Sequence, residues 1–307
     1  MIYRNPIKPP ALRPGGILGV TAPAAAVDPA HLERGVQLLR ARGYRVKLAP
    51  HVLARSGVLA GTDAQRAGDL ALMFADPEVE AIIAARGGYG AGRLLPLLDY
   101  AQIARTPKLF VGFSDHTFVL NALFARAALI GLHGPVAAKD PAAGLHEDSL
   151  THLLAVMAGE SRQFTLEGHA LAGGVAEGPL VGGCLSIVVA MLATPYAPNF
   201  RDAILLLEDT GERGYRIDRM LVQLRQAGVL SAVAGIALGG FRAPGGEPAE
   251  QRRIDQFLRE QTADLGIPVL AGLEVGHATA NYALPIGARV RLDADARSLD
   301  VLEAAVC

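Results

Sequence analysis

Cysteine is scarce in this chain: it occurs only at Cys184 and Cys307, with no Cys-x-x-Cys pair and no tight His/Cys cluster. A disulfide framework and a structural zinc site are therefore excluded as organising devices, and both residues read as reduced thiols. Basic runs and basic-aromatic stripes are missing as well, and the formal net charge is -1, so the electrostatic footprint of a nucleic-acid binder is absent. The longest apolar run, Leu185 to Leu192, is too short to span a bilayer. Met1-Ile2-Tyr3-Arg4-Asn5-Pro6 lacks the apolar core of a signal peptide. The expectation is a cytoplasmic protein with neither a membrane nor a nucleic acid as partner.

What is present is apolar and turn-rich. Hydrophobic residues make up 51% of the 307, glycine contributes 35 and charged residues only 19%, which argues against disorder. The length suits two domains, each able to bury its own core. In the first half, strand-like Ile17 to Thr21 is followed by Asp28-Pro29 as N-cap and first-turn proline, then by Leu32, Val36 and Leu39 at helical spacing, with Gly43 ending the helix. Tyr44 to Leu48 alternates like a strand, Ala64 to Phe74 reads as a helix, and Glu80 to Ala85 as a buried strand. This β-α-β-α order predicts an α/β fold with a mostly parallel sheet.

From about Lys139 that rhythm is lost around one weak helix near Leu150 to Met157. Residues 1–138 are thus expected to form an amino-terminal α/β domain, 139–176 an interdomain connection, and 177–307 a carboxyl-terminal domain. The latter shows a helix near Leu185 to Leu192, a strand at Ala203 to Leu207 and a helix at Arg216 to Ala227 with Ile217, Met220, Leu221 and Leu224 on one face. Further strands are expected near Val233 to Leu238, Val269 to Val275, Arg289 to Leu292 and Leu299 to Leu302.

The segment most suggestive of chemistry is Lys108-Leu109-Phe110-Val111-Gly112-Phe113-Ser114-Asp115-His116-Thr117. An apolar strand stops at Gly-x-Ser, and Leu120, Leu123, Phe124 and Ala127 then repeat with helix spacing, so Ser114 falls at a strand-to-helix turn, as in a nucleophile elbow. Such a turn exposes the hydroxyl and aims the first helical amides at one point, where they can bind a developing oxyanion. Ser114-Asp115 equally matches a plain helix cap. Arg86-Gly87-Gly88-Tyr89-Gly90-Ala91-Gly92-Arg93 follows another apolar strand but has neither Gly-x-Gly-x-x-Gly spacing nor a Gly-Lys-Ser/Thr ending, so no nucleotide cofactor is expected. Its glycines allow close backbone approach, which makes Gly88 a candidate second oxyanion donor beside the Asp115 amide. A tight turn needing glycine only for geometry fits too. Glu208 ends the apolar strand Ile204 to Leu207, and His277 ends Gly272-Leu273-Glu274-Val275-Gly276; either could be structural, and His116 and His133 compete for a base role. A serine hydroxyl, an imidazole and an orienting carboxylate nevertheless form a coherent set, which would have to assemble across the two halves. No metal ligation is expected.

Taken together and in order, Arg86-Gly87-Gly88-Tyr89-Gly90, Gly112-Phe113-Ser114-Asp115, Gly182-Gly183, Leu207-Glu208-Asp209, Tyr215 to Leu221 and Gly276-His277 resemble the LD-carboxypeptidase family of serine peptidases, which includes microcin-immunity relatives. The resemblance runs from Gly19-Val20-Thr21-Ala22-Pro23 to Leu284-Pro285-Ile286-Gly287-Ala288. It implies Ser114 as nucleophile, His277 as base and Glu208 as its orienting acid, with the Gly88 and Asp115 amides as oxyanion hole and Arg86, Tyr89 and Gly183 contacting substrate. It further implies an amidotransferase-like sheet domain joined to a smaller β-rich domain, a homodimer, and release of terminal D-alanine from a murein tetrapeptide in cytoplasmic cell-wall recycling. Arg86, Arg93 and Arg216 are candidates for holding the terminal carboxylate. Cys184 stands where many relatives carry asparagine. Microcin-immunity relatives act on a peptidyl-nucleotide with extra aromatic stacking, and this chain has no tryptophan. A noncatalytic ligand-binding module on the same frame is the remaining alternative.

Overall fold

A computed structural model describes residues 5–138 and 147–307; Met1 to Arg4 and the start of the expected connection, 139–146, lie outside the described residues. The first half alternates β1 (Ile17–Thr21), α1 (Pro29–Ala41), β2 (Arg45–Leu48), α2 (Asp63–Ala75), β3 (Val79–Ala84), α3 (Tyr100–Arg105), β4 (Leu109–Gly112), α4 (Thr117–Ala127) and β5 (Gly131–His133). Local chemistry sets the helix starts. Asp28 accepts the amides of Ala30 and His31 at 2.8 and 3.0 Å ahead of Pro29, and Thr62 with Gln65 forms a reciprocal capping box on α2. β1 to β5 pair in parallel, and the apolar runs of β1, β3, β4 and β5 are buried as expected for a sheet covered by helices, while β2 lies at the exposed edge.

The second half contains α5 (Glu147–Met157), β6 (Phe164–Glu167), β7 (His169–Ala172), β8 (Val175–Cys184), α6 (Leu185–Met191), β9 (Ile204–Thr210), α7 (Gly214–Gln226), α8 (Val229–Ala232), β10 (Gly235–Arg242), α9 (Pro248–Thr262), β11 (Val269–Ala271), β12 (Leu284–Ile286), β13 (Arg289–Asp293) and β14 (Ser298–Val301). Eight of these strands form one sheet in the order β6-β14-β13-β8-β9-β10-β11-β7. The long strand β8 joins its two wings: Val175 to Pro179 pair antiparallel with β13, and Leu180 to Cys184 pair parallel with β9. The α/β class with a parallel first sheet and a β-rich second half is therefore present.

Several features differ from the sequence reading, among them the strand expected at Val269 to Val275, since β11 ends at Ala271. The stretch expected to be only a connection supplies β6 and β7, both short edge strands. They owe their conformation to pairing with β14 and β11, a tertiary cause that leaves little local signal. β12 leaves the second half and pairs antiparallel with β5, giving a six-stranded first sheet in the order β12-β5-β4-β3-β1-β2. α9, which the sequence reading passed over, buries only the stripe Glu250, Ile254, Leu258 and Thr262 against a polar remainder.

The sheets are joined through α4. Asn121 Nδ2 donates to the Gly182 carbonyl at 2.9 Å and to Thr117 O at 2.8 Å, while Oδ1 accepts the Gly182 amide at 2.9 Å. Thr117 Oγ1 accepts the Cys184 amide at 3.0 Å. All of these bonds are buried, so α4 is fastened to the end of β8 with little room for adjustment. Asn121→Ala would strip both polar groups of Gly182 of their partner at once, and should lower unfolding stability by about 2–5 kcal/mol. Chemical denaturation checks this; a loss below about 1 kcal/mol would show that the junction is held by packing alone.

Candidate active site

At the end of β4 the chain turns sharply. Phe113 is still extended, Ser114 adopts a left-handed φ of 61°, and a single 3-10 turn, Ser114–His116, leads into α4. A non-glycine residue in that conformation costs on the order of 1–3 kcal/mol and is retained where the surroundings enforce it. Here the enforcement is visible. The His116 amide donates to Phe113 O at 3.2 Å and His116 Nδ1 bonds the same carbonyl at 3.1 Å. Asp115 is buried and its carboxylate accepts the Ala91 amide at 2.7 Å, tying the elbow to the glycine loop. Burial pushes the Asp115 carboxyl up to about 6 against that hydrogen bond. Gly87 passes so close that a Cβ there would lie 3.4 Å from Ser114 Oγ.

Glu208 sits in β9, wholly buried at the junction of the two sheets. Its Oε2 accepts His277 Nδ1 at 2.5 Å and the His277 backbone amide at 3.1 Å. Space for the carboxylate is made by glycine: a Cβ at Gly276 would lie 2.4 Å from its carboxyl carbon, and one at Gly239 would lie 3.1 Å from Glu208 Cβ. The β9–β10 register slips between Leu238 and Phe241, a bulge at Gly239-Gly240 that lets the 276–278 segment lie against Glu208. Burial alone would raise the Glu208 carboxyl, but the charge and hydrogen bonds of His277, with the His133 ring close by, prevail and hold it down at about 2. His277 shows the reciprocal balance: burial lowers it, and Glu208 more than offsets this, raising it above its ordinary value.

The structure separates the three competing histidines. His116 is sealed and committed to Phe113 O, and burial brings it down to about 4. His133 is also fully buried, with Nε2 3.5 Å from Glu208 Oε1. His277 is partly exposed, holds Glu208 through Nδ1, and has no hydrogen bond at Nε2 among the described residues. Its ring lies 4.9 Å from that of Phe113, the residue before Ser114. Ser114 Oγ and His277 Nε2 are not hydrogen-bonded to each other, a gap common in ligand-free sites. A carboxylate, an imidazole and an elbow hydroxyl gathered in this way suit proton removal from the serine and acyl transfer.

The other expected site residues are placed variously. Gly88 is exposed at φ 106°, and Tyr89 and Arg86 flank it on the same open loop, with Arg86 donating to Ala26 O at 3.0 Å. Arg93 forks onto Asp63, and Arg216 pairs with Glu212 at 3.0 Å, so both already have an acidic partner. Gly183 is buried: a Cβ there would lie 2.6 Å from Thr117 Oγ1 and 3.1 Å from His133 Cδ2. Cys184, also buried, is driven well up by burial and by the neighbouring Glu208 and Asp209 charges, so it stays a thiol. Among residues the sequence reading missed, Arg242 ends β10 and donates to Thr279 Oγ1 at 3.2 Å, and its charge acts on His277. A Gly-Gly pair within an apolar strand is a bulge signal that could have marked that region. Among the described residues, no group of three or more His, Cys, Asp or Glu side chains is arranged to hold a metal ion.

Residues 18–134 match the LD-carboxypeptidase N-terminal domain and 177–292 the LD-carboxypeptidase C-terminal domain. The chain belongs to the LD-carboxypeptidase family. It is 35% identical to the murein tetrapeptide carboxypeptidase of Pseudomonas aeruginosa over 89% of this chain and 91% of that one. The crystal structure of a muramoyltetrapeptide carboxypeptidase from Oxalobacter formigenes superposes with a TM-score of 0.83 at 32% identity, covering 92% of this chain and 97% of that one. The microcin C7 self-immunity protein MccF of Escherichia coli is 26% identical over 99% of this chain and 98% of its own. These LD-carboxypeptidase relatives support a serine-type carboxypeptidase hydrolase.

The coupling of His277 to Glu208 can be read without any substrate. Histidine-selective NMR should find His277 titrating above 6.5 in the native protein, because the ionised Glu208 favours the imidazolium. Glu208→Gln removes that charge and leaves burial, so the midpoint should fall. A native midpoint at or below 6.5 would contradict the pairing.

Proposed function

We propose that this LD-carboxypeptidase family member is a serine carboxypeptidase that hydrolyses the L,D peptide bond of a murein tetrapeptide and releases terminal D-alanine. The observation that carries the reading is a left-handed Ser114 elbow beside an imidazole, His277, whose other nitrogen is held at 2.5 Å by a fully buried carboxylate. In this reading His277 Nε2 takes the Ser114 proton as Oγ attacks the scissile carbonyl, and later returns it to the departing amine. Glu208 keeps the proton of neutral His277 on Nδ1 and stabilises the cation formed in the transition state. The Gly88 and Asp115 amides receive the oxyanion. Water then releases the acylated serine by the same route.

A peptide of this kind brings carboxylates, and the surroundings of the triad offer cations. Arg86 on the elbow side and Arg242 on the His277 side have no carboxylate partner among the described residues. A groove of about 780 Å³ starts at Ala278 and Thr279, just after His277, and runs past Arg242 to Gln251 and Arg259 on α9. That volume suits a short peptide. Among the described residues no helix is long and apolar enough to cross a membrane. A homodimer belongs to the same reading through the family resemblance.

Ser114→Ala should leave unfolding within about 1 kcal/mol of the native protein. Turnover should fall on the order of 10⁴-fold or more, with the residue of catalysis coming from oxyanion binding. Wild-type hydrolysis in that variant would refute the nucleophile. Substrate is tested with three peptides that differ only at the carboxyl terminus: D-alanine, L-alanine and D-alanine amide. The inverted methyl misplaces the scissile carbonyl, and the amide leaves a guanidinium unpaired, so kcat/KM should drop strongly for both. Equal efficiencies would sink the carboxypeptidase assignment. Preference for a peptidyl-nucleotide over all three would instead favour a microcin-immunity type of substrate.

A further inference from the structure

His133 ends β5, and its backbone is held on both sides, by β4 through Gly112 and by β12 through Leu284. From the first sheet its ring reaches Glu208 in the second, with Nε2 3.5 Å from Oε1. Both side chains are fully buried. Among the described residues, Glu208 Oε1, His133 Nδ1 and His133 Nε2 have no hydrogen-bond partner. Buried polar atoms in this state are rare, and a carboxylate oxygen is the costliest of them. Two of the three face each other and need only approach by about 0.5 Å to make an ordinary N–H···O bond. The ring has little freedom to turn away: the Phe113 ring stands against it at 6.1 Å, and Gly183 closes its Cδ2 edge.

We propose that His133 is a positioning residue: with a proton on Nε2, it donates to Glu208 Oε1 and fixes the carboxylate rotor so that Oε2 stays on His277. The inference rests on the reading in which His277 is the base and Glu208 its orienting acid. The roles are set by access. His133 is sealed from any substrate and cannot itself exchange a proton with one, whereas the His277 side chain is partly exposed and its Nε2 has no hydrogen bond among the described residues. Without a donor on Oε1 the carboxylate is fixed only through the His277 donors on Oε2, so any turn about its rotor weakens the bond that specifies which His277 nitrogen carries the proton.

The test compares His133→Leu, which has no donor, with His133→Gln, whose amide can reach the same oxygen. One readout needs no substrate: the downfield proton resonance of His277 Nδ1–H bonded to Glu208. It should be present in the native protein and in His133→Gln and lost from His133→Leu. With murein tetrapeptide, His133→Leu should lower kcat about 10- to 100-fold, as removal of partners that orient a functional histidine does, with KM changed less than about twofold. His133→Gln should recover most of that loss. An unchanged resonance and kcat in folded His133→Leu would overturn the proposal. Equal damage in the two variants would do so as well, since it would mark His133 as packing only. If His133→Leu does not fold, loss of the resonance in His133→Gln overturns it and retention supports it. Failure of the triad reading is distinguishable, because it would appear as activity in Ser114→Ala while the resonance still reported on Glu208.

Discussion

A carboxylate with no solvent exposure must find its donors inside the protein, and the junction of this molecule is built around that requirement at Glu208. The His277 ring and backbone supply donors to Oε2 from the segment after β11, while His133 faces Oε1 from the first sheet. Side-chain volume had to be removed on two sides to admit the group, at Gly239 and Gly276. Had the carboxylate remained without partners, the cost would run to several kcal/mol, so its ionised form depends on the His277 donors being in place. The Asn121 and Thr117 bonds to Gly182 and Cys184 hold the two sheets together from α4, the helix that also begins at the elbow.

The elbow depends on the same joint. Ser114 is kept in a strained conformation by bonds to its neighbours: His116 on Phe113 O, and Asp115 on the Ala91 amide. The glycine loop that receives Asp115 is fastened in turn by buried Arg66, which donates to Pro23 O and Gly90 O at 2.6 and 2.9 Å and is paired with Asp63. The proposed nucleophile and the proposed base are thus carried by separate elements, yet each is rigid because its own support is buried. Such preorganisation allows a charge to develop with little rearrangement of the protein around it.

Much of the fold is legible where the cause is local. The Asp28-Pro29 start of α1 and the apolar runs of β1, β3, β4 and β9 each follow from residues adjacent in the chain. β6, β7 and β12 were not, because three or four residues carry no usable periodicity and become strands only by pairing. α9 carried a signal in Ile254 and Leu258, but its polar remainder concealed it. Gly183 shows a contact that no local signal carries: it lies so close to Thr117 and His133 that a Cβ there would meet Thr117 Oγ1 at 2.6 Å.

The sequence by itself placed a strand-to-helix turn at Ser114 and set Glu208 at the end of an apolar run, whereas the left-handed conformation of Ser114 was decided by the bonds around it, those of His116 to Phe113 O and of Asp115 to the Ala91 amide. Residue chemistry could not rank His116, His133 and His277, whose side chains are chemically identical, and only the resemblance of the motifs favoured His277. Solvent access and distance to Glu208 separate them, and both arise from packing between segments far apart in the chain. One histidine became a brace for the elbow, one was sealed against the carboxylate, and one was left open to the cleft. Only the meeting of the two sheets could make that division.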